Sequence, residues 1–251
     1  MRILLLGHNG YLGSYLNNFF ECDNLDDRNV YDNGKHYDYV INCIGKADLE
    51  YCEDNVDETN YSNWKVIDDI IHFYPEAKII NFSSYYVYDD DGPNNEEGKT
   101  TDKYAYTRQN LEAEKLIKNG VSFRLGKLFG NHHKKQNKLT EHIIDNDHLV
   151  LDDVLFNPTS LIQVGKIIEF ELKHHILNDV YNLSNHNCCS HYEYGVKIND
   201  ILGTKKEIKK IDKQKRNFHN YGKFLMDVSK INKLITLDDW ESDFIEYIKK
   251  I

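Results

Sequence analysis

Short apolar runs alternate with longer amphipathic stretches through the first half of the chain, a pattern that predicts strands joined by crossover helices into a parallel sheet. Ile3 to Leu6 reads as a buried strand, and Tyr11 to Phe20 as the helix after it. Tyr39 to Ile44 is a second strand. Asn55 to Tyr74 carries Val56, Thr59, Trp64, Ile67, Ile70 and Ile71 at helical spacing and stops before Pro75. Lys78 to Phe82 is the next strand. Asp89 to Asp102, with Gly92, Pro93, Asn94, Asn95 and Gly98, reads as a loop. A helix from about Asp102 to Lys118 ends at Asn119-Gly120, and Val121 to Leu125 is a further buried strand. The basic polar stretch from Asn131 to Lys138 then breaks the alternation and predicts a loop. Beyond it come a short helix near Leu139 to Ile144, a strand over Leu149 to Phe156, a helix from Ser160 to His174 and a strand over Val180 to Leu183. Two helices, near Ser190 to Ile201 and Asp238 to Ile251, complete the pattern.

Composition excludes several classes. The 251 residues are 40% hydrophobic and 29% charged, proportions of a globular protein with a full core. A formal charge of -10 argues against nucleic acid as a partner. No apolar run reaches membrane-spanning length, and Ile3 to Leu6 is too short for a secretion signal. The five cysteines, Cys22, Cys43, Cys52, Cys188 and Cys189, are odd in number and lack metal-type spacing, which suits reduced thiols in the cytoplasm. The pairs His132-His133 and His174-His175 point their side chains in different directions, so no metal site is expected.

Gly7, Gly10 and Gly13 lie between the first strand and the first helix, spaced G-x-x-G-x-x-G. That placement suits a tight turn at the first glycine, close approach of backbone to a pyrophosphate at the second and close helix packing at the third. It predicts that the chain holds NAD or NADP, with phosphate charge at the helix N-terminus. The fold class expected is α/β, a Rossmann-type doubly wound parallel sheet with a small C-terminal substrate-binding lobe. Residues 1–130 would form the dinucleotide-binding domain, completed by roughly 158–184, and 131–251 mostly the lobe. The residues that usually choose between the two cofactors fall in Glu21 to Arg28, where acids and Arg28 point to opposite choices. Only about twenty residues separate the first helix from the strand at Tyr39, too few for a full strand-helix unit, so the adenosine end of the site is expected to be cut down.

Further stretches carry a family likeness. Val40-Ile41-Asn42-Cys43-Ile44-Gly45 is followed by Cys52-Glu53 and then Asn60. Phe82 to Asp89 resembles the segment STDYVFDG, and Arg124 to Gly130 the strand end RxxxVYG. Pro158-Thr159-Ser160 is similar to a PT turn, Ser190 to Tyr194 to SxYEFA, and Leu225 to Lys230 to SxLDTSK. With the glycines, these resemble the extended short-chain dehydrogenases/reductases, most of all the dTDP-4-dehydrorhamnose reductases, across nearly the whole chain and in order. The resemblance implies NAD(P)-dependent reduction of the 4-keto group of a nucleotide-activated 6-deoxysugar, in polysaccharide biosynthesis. It implies that Gly7, Asn9, Gly10, Tyr11, Leu12, Gly13, Cys43, Ile44, Gly45, Asn60, Ser83, Tyr104 and Arg108 hold the cofactor. Tyr85, Tyr86 and Lys127 would hold the substrate, and a homodimer is compatible with it.

Ketone reduction needs a hydride on one face and a proton at the oxygen. Ser84, at a strand end, would hydrogen-bond the carbonyl and Tyr104 would give it a proton. Arg108 lies four positions on, where a cation can stabilise the tyrosine anion. The family has Tyr-x-x-x-Lys there, and a guanidinium is a different object from an ammonium. A second register, Tyr106 with Asn110, lacks the cation and is set aside. The basic residues Lys127, His132, His133, Lys134, Lys135 and Lys138 would suit the diphosphate of a sugar nucleotide. Two alternatives remain open. One is a non-catalytic NAD(P)-binding protein of the same fold, motivated by Arg108. The other is an epimerase or dehydratase on the same substrates, which would need further acids or bases.

Overall fold

The computed structural model describes residues 1–25, 30–130, 137–212 and 225–251. The chain divides into two compact units, the first made of 1–89, 99–125 and 169–181 and the second of 90–98, 126–168 and 182–251. Residues 90–98, expected with the first domain, thus belong to the second unit.

The first unit follows the predicted alternation. In order come β1 (Ile3–Leu6), α1 (Tyr11–Phe19), β2 (Asp23–Asn24), β3 (Tyr39–Asn42), α2 (Leu49–Asp54), α3 (Val56–Asn60), α4 (Val66–Phe73), β4 (Lys78–Ser84), α5 (Ala105–Leu116) and β5 (Gly120–Leu125). The predicted helix from Asn55 to Tyr74 is interrupted by a π-helical turn, Tyr61–Lys65, between α3 and α4. The wider turn leaves no residue of Tyr61–Lys65 buried, which suits Tyr61, Ser62, Asn63 and Lys65. The pairs β1–β2, β1–β3, β3–β4 and β4–β5 are all parallel, as the crossover helices require. One face of these strands is sealed by Val66, Ile67 and Ile70 of α4 and Ala113 of α5 against Leu4, Leu6, Val40 and Ile79.

Between β2 and β3 there is no helix among the described residues, and β2 itself is two residues long. The second strand-helix unit is therefore shortened, as the spacing implied. Asp26, Asp27 and Arg28, on which the cofactor choice would turn, lie outside the described residues.

The later elements are β6 (Lys127–Phe129), α6 (Lys138–Asp145), β7 (His148–Asp152), β8 (Leu155–Phe156), β9 (Pro158–Ser160), α7 (Leu161–His174), β10 (Val180–Leu183), β11 (Cys189–Ser190), α8 (His191–Leu202), β12 (Glu207–Ile211), α9 (Ser229–Asn232) and α10 (Trp240–Ile248). The largest sheet runs β10-β5-β4-β3-β1-β2. This is the expected α/β, Rossmann-type class. The second unit has its own core, in which Phe129, Leu149, Leu151 and Phe156 pack with Tyr194 and Ile198 of α8 and Trp240 and Phe244 of α10. The strand predicted over Leu149 to Phe156 is two strands with separate partners, β7 parallel to β12 and β8 antiparallel to β11. Among the described residues no helix is long and apolar enough to cross a membrane.

Candidate active site

The glycine turn is built as its spacing predicts. Gly7 leaves β1 at φ +73, and a Cβ there would lie 2.6 Å from the carbonyl carbon and oxygen of Cys43. Only glycine has both that backbone freedom and that clearance. Gly13, in the first turns of α1, sits so close that a Cβ would come within 2.1 Å of the Gly7 carbonyl oxygen. Gly10 caps α1 and donates from its N–H to that same oxygen at 2.9 Å, and a Cβ there would lie 3.3 Å from that oxygen. No acid occupies the first turn of α1, so the positive end of the helix is left for an anion. The turn thus brings Gly7 against Cys43 and Ile44, just past the C-terminal end of β3, with Gly10 near the Cys43 carbonyl, Gly13 packed on Gly7 and Leu12 buried in α1. Asn9 and Gly45 are exposed beside them, and Tyr11 is half-buried. The Cys43 thiol is held far above its usual range by burial, so it is a packing group here. These residues fit the pyrophosphate of a dinucleotide.

Asn60 has a different environment from the one expected. Its Oδ1 accepts hydrogen bonds from Gln109 Nε2 and Trp64 Nε1, both at 3.2 Å. Gln109 also donates to Thr59 Oγ1 at 2.9 Å and accepts from Asn63 Nδ2 at 2.7 Å. This buried amide network ties α3 and the π turn to α5. Glu53 adds to it by accepting the Ala105 N–H at 2.5 Å, satisfying a first-turn donor of α5. Ser83 likewise spends its hydroxyl elsewhere, donating at 2.5 Å to Glu114. Glu114 is paired at 3.0 and 2.8 Å with Arg124, both side chains being 6% exposed.

Ser84 ends β4, buried, and the phenol that meets it is that of Tyr106, not Tyr104. The Tyr106 hydroxyl has the side chains of Ser84 and Asn110 as hydrogen-bonding partners. The reason lies in the pitch of α5. Its buried positions are Ala105, Tyr106, Thr107, Gln109, Asn110 and Ala113; Tyr106, Gln109, Asn110 and Ala113 follow a three-to-four spacing that puts Tyr106 on the inner face. Tyr104 is the N-cap residue, partly exposed, with its ring 5.2 Å from Lys103 Nζ. Arg108 is exposed and donates from Nη1 to the Asp102 carbonyl at 3.1 Å. The Tyr104–Arg108 pairing is therefore corrected to Tyr106–Asn110, the register without a cation. Burial pushes the Tyr106 phenol up to about 12, with Cys52 and Tyr86 adding to the rise and Ser84 and Asn110 opposing it. Asn110 also donates to the Tyr106 carbonyl at 2.8 Å. Tyr85 and Tyr86 stack at 4.3 Å next to this group, their hydroxyls raised chiefly by burial.

In the second unit, Lys127 Nζ lies 3.2 Å from His191 Nε2, whose Nδ1 is 2.6 Å from Asp152. Sequence reading singled out Lys127 and missed both partners, since neither His191 nor Asp152 lies near it in the chain. His132, His133, Lys134 and Lys135 lie outside the described residues. His175 Nδ1 is 2.7 Å from the Tyr39 hydroxyl, and among the described residues no group of three His, Cys, Asp or Glu side chains is placed to hold a metal.

The whole chain, residues 1–251, matches the family model described as the RmlD substrate binding domain. Among solved structures it is similar to a dTDP-4-dehydrorhamnose reductase from Clostridium acetobutylicum, at 21% identity and TM-score 0.87, covering 100% of this chain and 99% of that one. It is similar to the enzyme of that name from Yersinia enterocolitica at 17% identity and TM-score 0.86, covering 99% and 98%. A third, from Bacillus anthracis in complex with NADP, gives 17% identity and TM-score 0.86 over 100% and 99%. The comparison with curated proteins found no match. At these identities the likeness to solved structures is one of fold.

Proposed function

Because the chain belongs to the family described as the RmlD substrate binding domain, we propose that it binds NAD or NADP at the glycine turn and reduces the 4-keto group of a nucleotide-activated 6-deoxysugar. The observation that carries this reading is the meeting of the Ser84 and Tyr106 hydroxyls at the same end of the sheet as Gly7 to Gly13. When bound, the nicotinamide supplies the hydride. Ser84 donates a hydrogen bond to the ketone oxygen, and Tyr106 gives that oxygen its proton as the alkoxide develops. A phenol at about 12 is the neutral acid at pH 7, with only about one molecule in 10⁵ ionised. Tyr106 thus carries its proton at pH 7, the state in which it can pass that proton to the developing alkoxide. Tyr85 and Tyr86 contribute phenols beside Tyr106 for the sugar.

The test is loss of nicotinamide absorbance when the protein is mixed with NADH or NADPH and a dTDP-activated 4-keto-6-deoxyhexose, with the reduced sugar identified by mass spectrometry. Oxidation of either cofactor coupled to an added pair of hydrogens on the sugar supports the reading. Cofactor binding without sugar reduction contradicts it.

One observation favours a second reading. Asn110 occupies the place where the family's lysine would stabilise the tyrosine anion, so the chain could bind the cofactor without using it. Activity that emerges only in Asn110→Lys would identify this non-catalytic form.

A further inference from the structure

The second unit contains a carboxylate, an imidazole and an ammonium in line. Asp152 Oδ1 lies 2.6 Å from His191 Nδ1, and its side chain is 3% exposed. His191 Nε2 lies 3.2 Å from Lys127 Nζ. The order fixes the tautomer: Asp152 accepts the Nδ1 proton, which leaves Nε2 as a lone pair facing the lysine. His191 is also the first residue of α8. Its Nε2 is thus the acceptor set against the Lys127 ammonium. Phe156 fixes both groups laterally, its ring 5.0 Å from the His191 ring and 5.4 Å from Lys127 Nζ. Phe156 and Lys127 come from different strands, and Asp152 ends a third, so five residues of chemistry and packing are assembled from β6, β7, β8 and α8 with Ser190 capping the helix.

A lysine held only to neutralise a phosphate gains nothing from a buried Asp–His pair behind it. We infer that Lys127, backed by His191 and Asp152, is an acid–base group that exchanges the proton on a carbon next to a ketone, giving the protein an enolising activity on keto sugars. The inference rests on the proposed use of a 4-keto-6-deoxysugar, whose carbons beside the ketone carry such acidic protons. In the step, the Lys127 ammonium first shares one proton with His191 Nε2. The amine then takes the C–H proton, the C–H pair moves into a C=C bond and the carbonyl pair moves onto oxygen. The resulting enolate collapses as Lys127 returns a proton to the same carbon from the ammonium, and no oxidant or reductant is consumed. Lys127 is the group that touches substrate; His191 and Asp152 act through it as positioning residues.

The experiment uses the full chain, a dTDP-activated 4-keto-6-deoxyhexose and D2O, without nicotinamide cofactor, and reads deuterium beside the ketone by mass spectrometry against a protein-free control. Wild type should incorporate deuterium. Lys127→Gln should slow incorporation by about 10²-fold or more, and His191→Gln should slow it too. Lys127→Arg keeps the positive charge but cannot give up a proton, so it should also fail, whereas a lysine that merely binds phosphate would be replaced by arginine without loss. Thermal melts of each variant exclude loss of folding as the cause. No incorporation by wild type, or incorporation unchanged in Lys127→Gln or Lys127→Arg, overturns the inference. Reduction of the sugar without exchange overturns the relay and leaves the reductase reading standing. Exchange without reduction does the reverse.

Discussion

Asn110→Lys restores the cation that α5 lacks, and its effect can be worked from the geometry. Asn110 is 6% exposed and its side chain already reaches the Tyr106 hydroxyl. An ammonium about 5 Å from a phenolate, at an effective dielectric of about 20, stabilises the anion by about 3 kcal/mol. That is about two pKa units, which would return Tyr106 from about 12 to about 10. In the direction of alcohol oxidation, where Tyr106 must act as a base, the phenolate fraction near pH 8 rises by about 10²-fold. The assay is the pH profile of oxidation of the reduced sugar nucleotide. The wild-type rate should climb about tenfold per pH unit through pH 10, while the variant should level off near pH 10. Crowding a longer side chain into this site costs about 1 to 3 kcal/mol, so a melting curve accompanies the kinetics. Identical profiles in two folded proteins would refute the placement of Asn110 beside the Tyr106 phenol.

Glu114→Gln leaves the buried Arg124 guanidinium without its carboxylate and should lower unfolding stability by about 3 to 5 kcal/mol in a urea titration. Gly13→Ala drives a Cβ to 2.1 Å from the Gly7 carbonyl oxygen, which is backbone and cannot swing away. The shift of α1 should weaken NADPH binding by about tenfold or more, read by nicotinamide fluorescence. Tyr106 keeps its proton in the folded state up to about 12, whereas the unfolded chain loses it near 10. The folded state therefore binds more protons in that window, and stability should fall by up to about 3 kcal/mol as pH rises from 10 to 12. Tyr106→Phe should flatten that part of the decline in denaturant titrations.

The frame of the fold was readable because β1, β3, β4 and β5 are largely buried and each carries a short apolar stretch, unbroken in β1 and interrupted by Asn81 in β4 and by Ser122 and Arg124 in β5. The glycine turn was equally readable, since at Gly7 and Gly13 a Cβ would run into backbone atoms that cannot move aside. The shortened second unit followed from counting residues. The face of α5 did not, because its inner positions include Gln109 and Asn110, polar residues that look solvent-facing in a sequence. They are buried because they hydrogen-bond across to Thr59, Asn60 and Asn63 and back to Tyr106. Arg108 was persuasive for its charge, yet that charge is why it stays at the surface. The strand β12 was missed because Glu207 to Ile211 is an edge strand with lysines at Lys209 and Lys210 and no buried residue. Asp152 and His191 reach Lys127 only through the fold of the second unit.

The central claim is that Tyr106 gives the ketone its proton. The most direct test compares turnover of a dTDP-activated 4-keto-6-deoxyhexose in Tyr106→Phe and Tyr104→Phe with NADPH binding measured in both. Loss of turnover by about 10²-fold or more in Tyr106→Phe, with binding kept and with Tyr104→Phe near wild type, is the result predicted. Full turnover in Tyr106→Phe, or loss confined to Tyr104→Phe, would contradict it.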